Sequence, residues 1–94
     1  MANQKRVHVF VSGRVQGVSF RDATRSQAEQ LGLDGWVRNR ADGSVEAALF
    51  GDEAPVRELL DRCRRGPPLA RVEAVEEAPE AGRPPAGFEQ LPTL

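Results

Sequence analysis

The 94-residue chain has a single cysteine, Cys63, so no disulfide can form within it. That suits a reducing compartment. One cysteine and one histidine, His8, are too few for a structural zinc site, and no metal is expected. No run approaches the roughly 20 apolar residues that a membrane-spanning helix needs. Residues 1–7 carry charge but no apolar stretch behind it, so no signal peptide is expected and the cytoplasm is the default location. Aromatic residues are sparse, with four Phe, one Trp and no Tyr, which leaves little for a base-stacking surface. Charge of one sign is also lacking, because the net is −1.

What is present fits one domain, residues 1–94, with a modest core able to fold without a staple. Apolar residues make up 39% and charged residues 29%, the balance of a water-soluble globule. The charge is unevenly placed. Residues 1–40 hold seven Lys+Arg against three Asp+Glu, a net of +4, and residues 41–94 hold six against eleven, a net of −5. The first half can attract an anion, whereas the acidic second half opposes a nucleic-acid partner. Chance clustering on solvated faces would produce the same asymmetry, so alone it decides nothing.

Along the chain the hydrophobic period switches between 2 and 3.6. Residues 7–11, Val-His-Val-Phe-Val, alternate as a strand does. Residues 13–19 read as a loop. Phe20, Ala23, Thr24, Ala28 and Leu31 share one helical face, and Gly32 is a suitable stop. Residues 36–40 predict a second strand, Asp42-Gly43 a hairpin turn, and residues 44–50 a third strand. Asp52 is a candidate N-cap for a helix with Pro55 in its first turn and Val56, Leu59, Leu60 and Cys63 on its buried stripe. Arg62, Arg64 and Arg65 suit its C-terminal end, and Gly66-Pro67-Pro68 ends it. Residues 70–78 predict a fourth strand, 79–87 a loop, and 88–91 a short closing strand. The order β-α-β-β-α-β, plus that last strand, predicts an α/β (α+β) sandwich of ferredoxin-like, split β-α-β topology. Its antiparallel sheet of four to five strands carries two helices on one face. In that topology the first two strands run parallel, and their C-terminal ends meet at one edge.

Two segments carry chemistry. In Gly13-Arg14-Val15-Gln16-Gly17-Val18-Ser19-Phe20-Arg21, a strand-to-helix loop can aim several backbone N–H groups at one anion. Gly17 permits close approach of the backbone, and the Arg21 guanidinium can grip two phosphate oxygens. A cation in a first helical turn is unfavourable unless an anion joins it. An ordinary loop with a solvated arginine is the commoner outcome for such a stretch. In Gly35-Trp36-Val37-Arg38-Asn39-Arg40-Ala41-Asp42-Gly43-Ser44-Val45-Glu46, the Asn39 carboxamide can orient a water, or simply bond its own turn.

Taken together, the segments closely resemble the acylphosphatase family over about half the chain. Gly66-Pro67-Pro68-Leu69-Ala70-Arg71-Val72 is a weaker echo, and residues 88–94 match more loosely. The resemblance implies a ferredoxin-like sandwich that hydrolyses acyl phosphates without cofactor or metal. It implies that Arg21, closing Val-Gln-Gly-Val-x-Phe-Arg, is the phosphate-binding catalytic arginine. Asn39, in Gly-Trp-Val-x-Asn, would position the attacking water. The amides of Val15, Gln16, Gly17, Val18, Ser19 and Phe20 would complete the phosphate cradle.

The implied substrate is a small acyl phosphate, the product inorganic phosphate, and the protein a monomer without nucleic-acid or membrane partners. Because a carboxylate leaves unprotonated at neutral pH, the reaction needs no general acid, which fits a motif without catalytic His, Asp or Glu. The remaining residues invite blander readings. His8 is a surface or half-buried strand residue, Cys63 a buried helix residue, Trp36 a packing residue and Asp42 a turn former. Arg38 and Arg40 either add positive potential near the site or are solvated. Two rivals share the topology. One is an RNA-binding module, opposed by the acidic half and the few aromatics. The other is a non-catalytic regulatory or ligand-binding domain, since related domains occur within hydrogenase-maturation carbamoyltransferases and fold alone never excludes this.

Overall fold

A computed structural model describes residues 3–94; the first two residues of the 1–94 unit and of the 1–7 stretch lie outside it. The element order is β1 (Gln4–Arg14), α1 (Phe20–Gln30), β2 (Asp34–Asn39), β3 (Val45–Asp52), α2 (Glu53–Arg65), β4 (Arg71–Pro79) and β5 (Phe88–Gln90). One sheet holds all five strands in the order β4-β1-β3-β2-β5. β3 pairs antiparallel with both β1 and β2, so these two run the same way on either side of it. The split β-α-β, ferredoxin-like topology is therefore as expected.

β1 shows why the pattern worked. Val7, Val9 and Val11 are buried, and they cluster with Phe20 and Ala28 of α1 and with Val56, Leu59, Leu60 and Cys63 of α2. His8 and Phe10 point to the other face and stay half-buried. β1 outruns residues 7–11 at both ends because it is paired on both sides, from Gln4 against Asp52 to Arg14 against Arg71. The predicted loop therefore shrinks from residues 13–19 to 15–19. Helix α1 ends in a Schellman-type cap, in which the Leu33 N–H donates to Ala28 O at 2.9 Å and the Gly32 N–H to Glu29 O at 3.2 Å. Leu31 sits at this cap, one residue past the helix, and still packs against the core as its place on the stripe predicts. Asp52 does stand at the N-cap of α2, but its side chain makes no cap bond. It accepts instead from the Gln4 carboxamide.

One expectation needs correction. The sheet is mixed, because β5 pairs parallel with β2, Gly35 opposite Phe88. A tight hairpin after β4 would have made β5 its antiparallel neighbour. The chain instead crosses the sheet from one edge to the other. Glu80 meets His8 on the way, Gly82 O accepts from Arg6, and the Gly87 N–H donates to Asp34 Oδ1 at 3.0 Å.

Where β2 meets β5, backbone and side chains crowd Gly35. Its φ is 143°, and a Cβ there would run into the Ala48 carbonyl oxygen. Gly35→Ala should destabilise the fold by about 2–3 kcal/mol, read as a lower urea midpoint.

The face without helices carries a charged cluster. His8 Nε2 lies 2.6 Å from Glu46 Oε2 and His8 Nδ1 2.8 Å from Glu80 Oε1, while Arg38 Nε donates to Glu46 Oε1 at 2.8 Å. Trp36 packs edge-on to His8, with centroids 5.5 Å apart, and lies under the Arg38 guanidinium. Burial pushes the Glu46 carboxyl upward, but the hydrogen bonds from Arg38 and His8 outweigh it and leave its pKa below the ordinary value. The Gly82 backbone N–H, and then His8, lower Glu80 likewise. Both carboxylates therefore hold protons less readily folded than unfolded. Their stabilisation is present above about pH 4.3, the ordinary glutamate value, and is lost as pH falls through the depressed folded values. The urea midpoint should fall on acidification below that point, and less steeply in Glu80→Gln; an equal slope in that variant would contradict the assignment.

Candidate functional site

Because β1 and β2 run parallel, their C-terminal ends lie at one edge of the sheet with only β3 between them. From the end of β1, residues 15–19 lead into α1, and from the end of β2, Asn39 leads into the hairpin turn. An open recess of about 220 Å³ lies where they meet, lined by Val15, Gly17, Ser19, Phe20, Arg21, Asp22 and Asn39.

The loop's shape follows from two left-handed residues. Gly17 has φ 73°, which costs a glycine little. Ser19 has φ 62° and ψ 25° at the N-cap of α1, an unusual state for a residue with a side chain. A left-handed residue followed by a helical one turns successive N–H groups toward the same side, forming an anion nest. Ser19 makes no side-chain cap bond, so no protein oxygen from it occupies the first-turn amides. The positive end of α1 thus opens on the recess.

Arg21 lines the recess half-buried and forms no ion pair among the described residues. Asn39 lines the other side. Its Oδ1 is buried and accepts no hydrogen bond from the described residues. A buried acceptor left unpaired is uncommon and needs an explanation, such as a donor arriving with the ligand or a water.

The structure brings Arg21, Asn39, Val15, Gly17, Ser19 and Phe20 to one recess. Val18 is turned into the core and Gln16 into the hairpin, where its Nε2 donates to Arg40 O at 2.7 Å and Ser44 O at 2.9 Å. Neither side chain lines the recess, which leaves only their backbone amides to serve a cradle. Arg38 and Arg40 lie outside it too, Arg38 in the charged cluster and Arg40 with its guanidinium 5.2 Å from the Phe10 centroid.

Sequence reasoning missed Asp22, which lines the recess with Oδ1 accepting from Gln90 Nε2 at 2.8 Å. An acidic residue in a first turn usually serves the helix dipole, and nothing local signals a partner 68 positions away. Asp42 serves the turn as expected: its Oδ1 accepts from the Ser44 N–H at 2.9 Å and hydroxyl at 2.6 Å, and those bonds lower its pKa. Burial pushes the Cys63 thiol up to about 11, so it is no ready nucleophile.

Fold and site together define a small ferredoxin-like domain built around a recess at the start of a helix. The acylphosphatase family model matches residues 7–90. An acylphosphatase of Rubrobacter xylanophilus is 60% identical over 83% of this chain and 73% of its own. One from Rhizorhabdus wittichii is 52% identical over 96% of this chain and 89% of its own. A solved acylphosphatase from Coxiella burnetii superposes with a TM-score of 0.89 at 37% identity, covering 95% of this chain and 94% of that one. The chain belongs to the acylphosphatase family.

Proposed function

We propose that the protein hydrolyses the carboxyl-phosphate bond of acyl phosphates in this recess, giving a carboxylate and inorganic phosphate. Arg21 and the loop amides hold the phosphoryl group and neutralise its equatorial oxygens, and Asn39 places a water for in-line attack. One juxtaposition supports the reading: a guanidinium and a buried carboxamide oxygen, both unpaired among the described residues, and a helix start without a side-chain cap surround one small recess.

The chemistry suits those parts. A water that donates one O–H to Asn39 Oδ1 is held with a lone pair free for phosphorus. Asn39 need not be a base, because the electrophile is an activated phosphoryl group. The bond from water oxygen to phosphorus forms as the phosphorus–carboxylate bond breaks. The leaving carboxylate departs unprotonated, and the water's proton passes to phosphate or solvent. No carboxylate set for a divalent ion enters this mechanism. The protein works as a cytoplasmic monomer, with residues 1–94 acting as one unit.

Hydrolysis of benzoyl phosphate by purified protein with excess chelator tests this directly. Rapid turnover unchanged by chelator is expected. A folded protein that binds phosphate without turnover would overturn the enzymatic reading in favour of a ligand-binding domain.

A further inference from the structure

The recess joins two parts of the fold that share no backbone hydrogen bond. The loop at residues 15–19 belongs to β1 and α1, Asn39 belongs to β2, and β3 separates the two strands. The backbone bonds of the hairpin are internal: the Arg40 N–H donates to Ser44 O at 2.9 Å and the Gly43 N–H to Arg40 O at 3.2 Å. Asn39 itself pairs with Val45, and its carbonyl accepts from the Leu94 N–H at 3.0 Å. None of these bonds reaches the loop.

Gln16 does reach across. Its half-buried carboxamide nitrogen has two hydrogens, and the two carbonyls at the mouth of the hairpin, Arg40 O and Ser44 O, lie 2.7 and 2.9 Å from it. We propose that Gln16 is a positioning residue whose side chain fixes the distance between the phosphate loop and Asn39. The proposal rests on the reading of Arg21 and Asn39 given above. Its chemistry is specific. Glutamate would set oxygens against carbonyls, methionine would bring no donor, and asparagine is one methylene too short to span both. The carbonyls themselves are not orphaned by removal of Gln16, because each also accepts from a backbone N–H within the turn. The hairpin can therefore survive the loss, while its registration with the loop loosens. In-line displacement is sensitive to such loosening, since about 1 Å of misplacement can lower a rate by about 100-fold.

The test is a double-mutant cycle on benzoyl phosphate hydrolysis, with wild type, Gln16→Met, Asn39→Ala and the double variant, alongside inhibition by inorganic phosphate. Gln16→Met should lower kcat by roughly 10- to 100-fold, with phosphate inhibition changed less than about threefold. In the Asn39→Ala background the same change should cost less than about threefold, because Gln16 acts through Asn39. A merely structural residue would lower the urea midpoint and leave the kcat of the folded protein intact. Gln16→Asn is expected to give the same split as Gln16→Met and serves should the methionine variant not fold. Unchanged kcat in a folded Gln16 variant, or full additivity with Asn39→Ala, would overturn the proposal. An inactive wild type would instead overturn the underlying enzymatic reading.

Discussion

Arg21→Gln should reduce kcat/KM for benzoyl phosphate by about 1,000-fold or more and abolish inhibition by inorganic phosphate. The size follows from the charge to be met. A transferring phosphoryl group spreads negative charge over three equatorial oxygens, and an arginine facing it supplies about three to five powers of ten. Three powers of ten correspond to about 4 kcal/mol of lost transition-state stabilisation. Glutamine keeps hydrogen-bonding ability but removes the charge and the fork. Arg21→Lys should recover little, because an ammonium is a point donor that cannot span two oxygens. Neither change should unfold the protein, since Arg21 takes part in no ion pair among the described residues. Steady-state kinetics, phosphate inhibition and far-ultraviolet circular dichroism together check the result. A folded Arg21→Gln protein with near-normal phosphate affinity would remove Arg21 from the site.

Asn39→Ala should separate what Arg21→Gln loses together. In the proposed roles the loop side holds phosphate, so its inhibition constant should stay within about threefold of wild type. kcat should fall by about 100- to 1,000-fold, the range for losing one preorganised hydrogen-bonding group at a reacting centre. Because Oδ1 has no partner among the described residues, truncation strands no donor there, and the urea midpoint should hold or rise slightly. Equal losses in phosphate binding and turnover would make Asn39 a phosphate ligand instead.

Much of this was legible from residue pattern. The alternation of Val7, Val9 and Val11 located β1, and the stripe of Val56, Leu59, Leu60 and Cys63 located α2, because each periodicity maps onto a buried face. Less accessible were features decided by distant partners. β3 is buried along both faces from Val45 to Phe50, which follows from its central place in the sheet and from the cluster around Glu46. The direction of β5 depends on where the chain goes after Pro79, and a Pro/Gly/Ala stretch does not encode that. At the site, Arg21 and Asn39 were singled out by the resemblance of their two segments to the acylphosphatase family, since either residue taken alone reads as an ordinary loop or turn residue. The side chain of Gln16 stands in the first of those segments, yet its role is visible only once the hairpin carbonyls lie beside it. His8 reads as an ordinary strand residue until Glu46 and Glu80 arrive from elsewhere in the chain.

The separation of β1 and β2 by β3 has a kinetic corollary. Residues 15–21 and Asn39 come together only after three strands and the first helix have docked, so no local fragment can assemble the recess. Recovery of hydrolysis after dilution from denaturant is therefore a clock for completion of the whole sheet, and should coincide with the last recovery of native fluorescence. Phosphate binding in the proposed site would recognise only that finished state and should raise the unfolding free energy as RT ln(1 + [L]/Kd). A passive product thereby becomes a chaperone for its own enzyme.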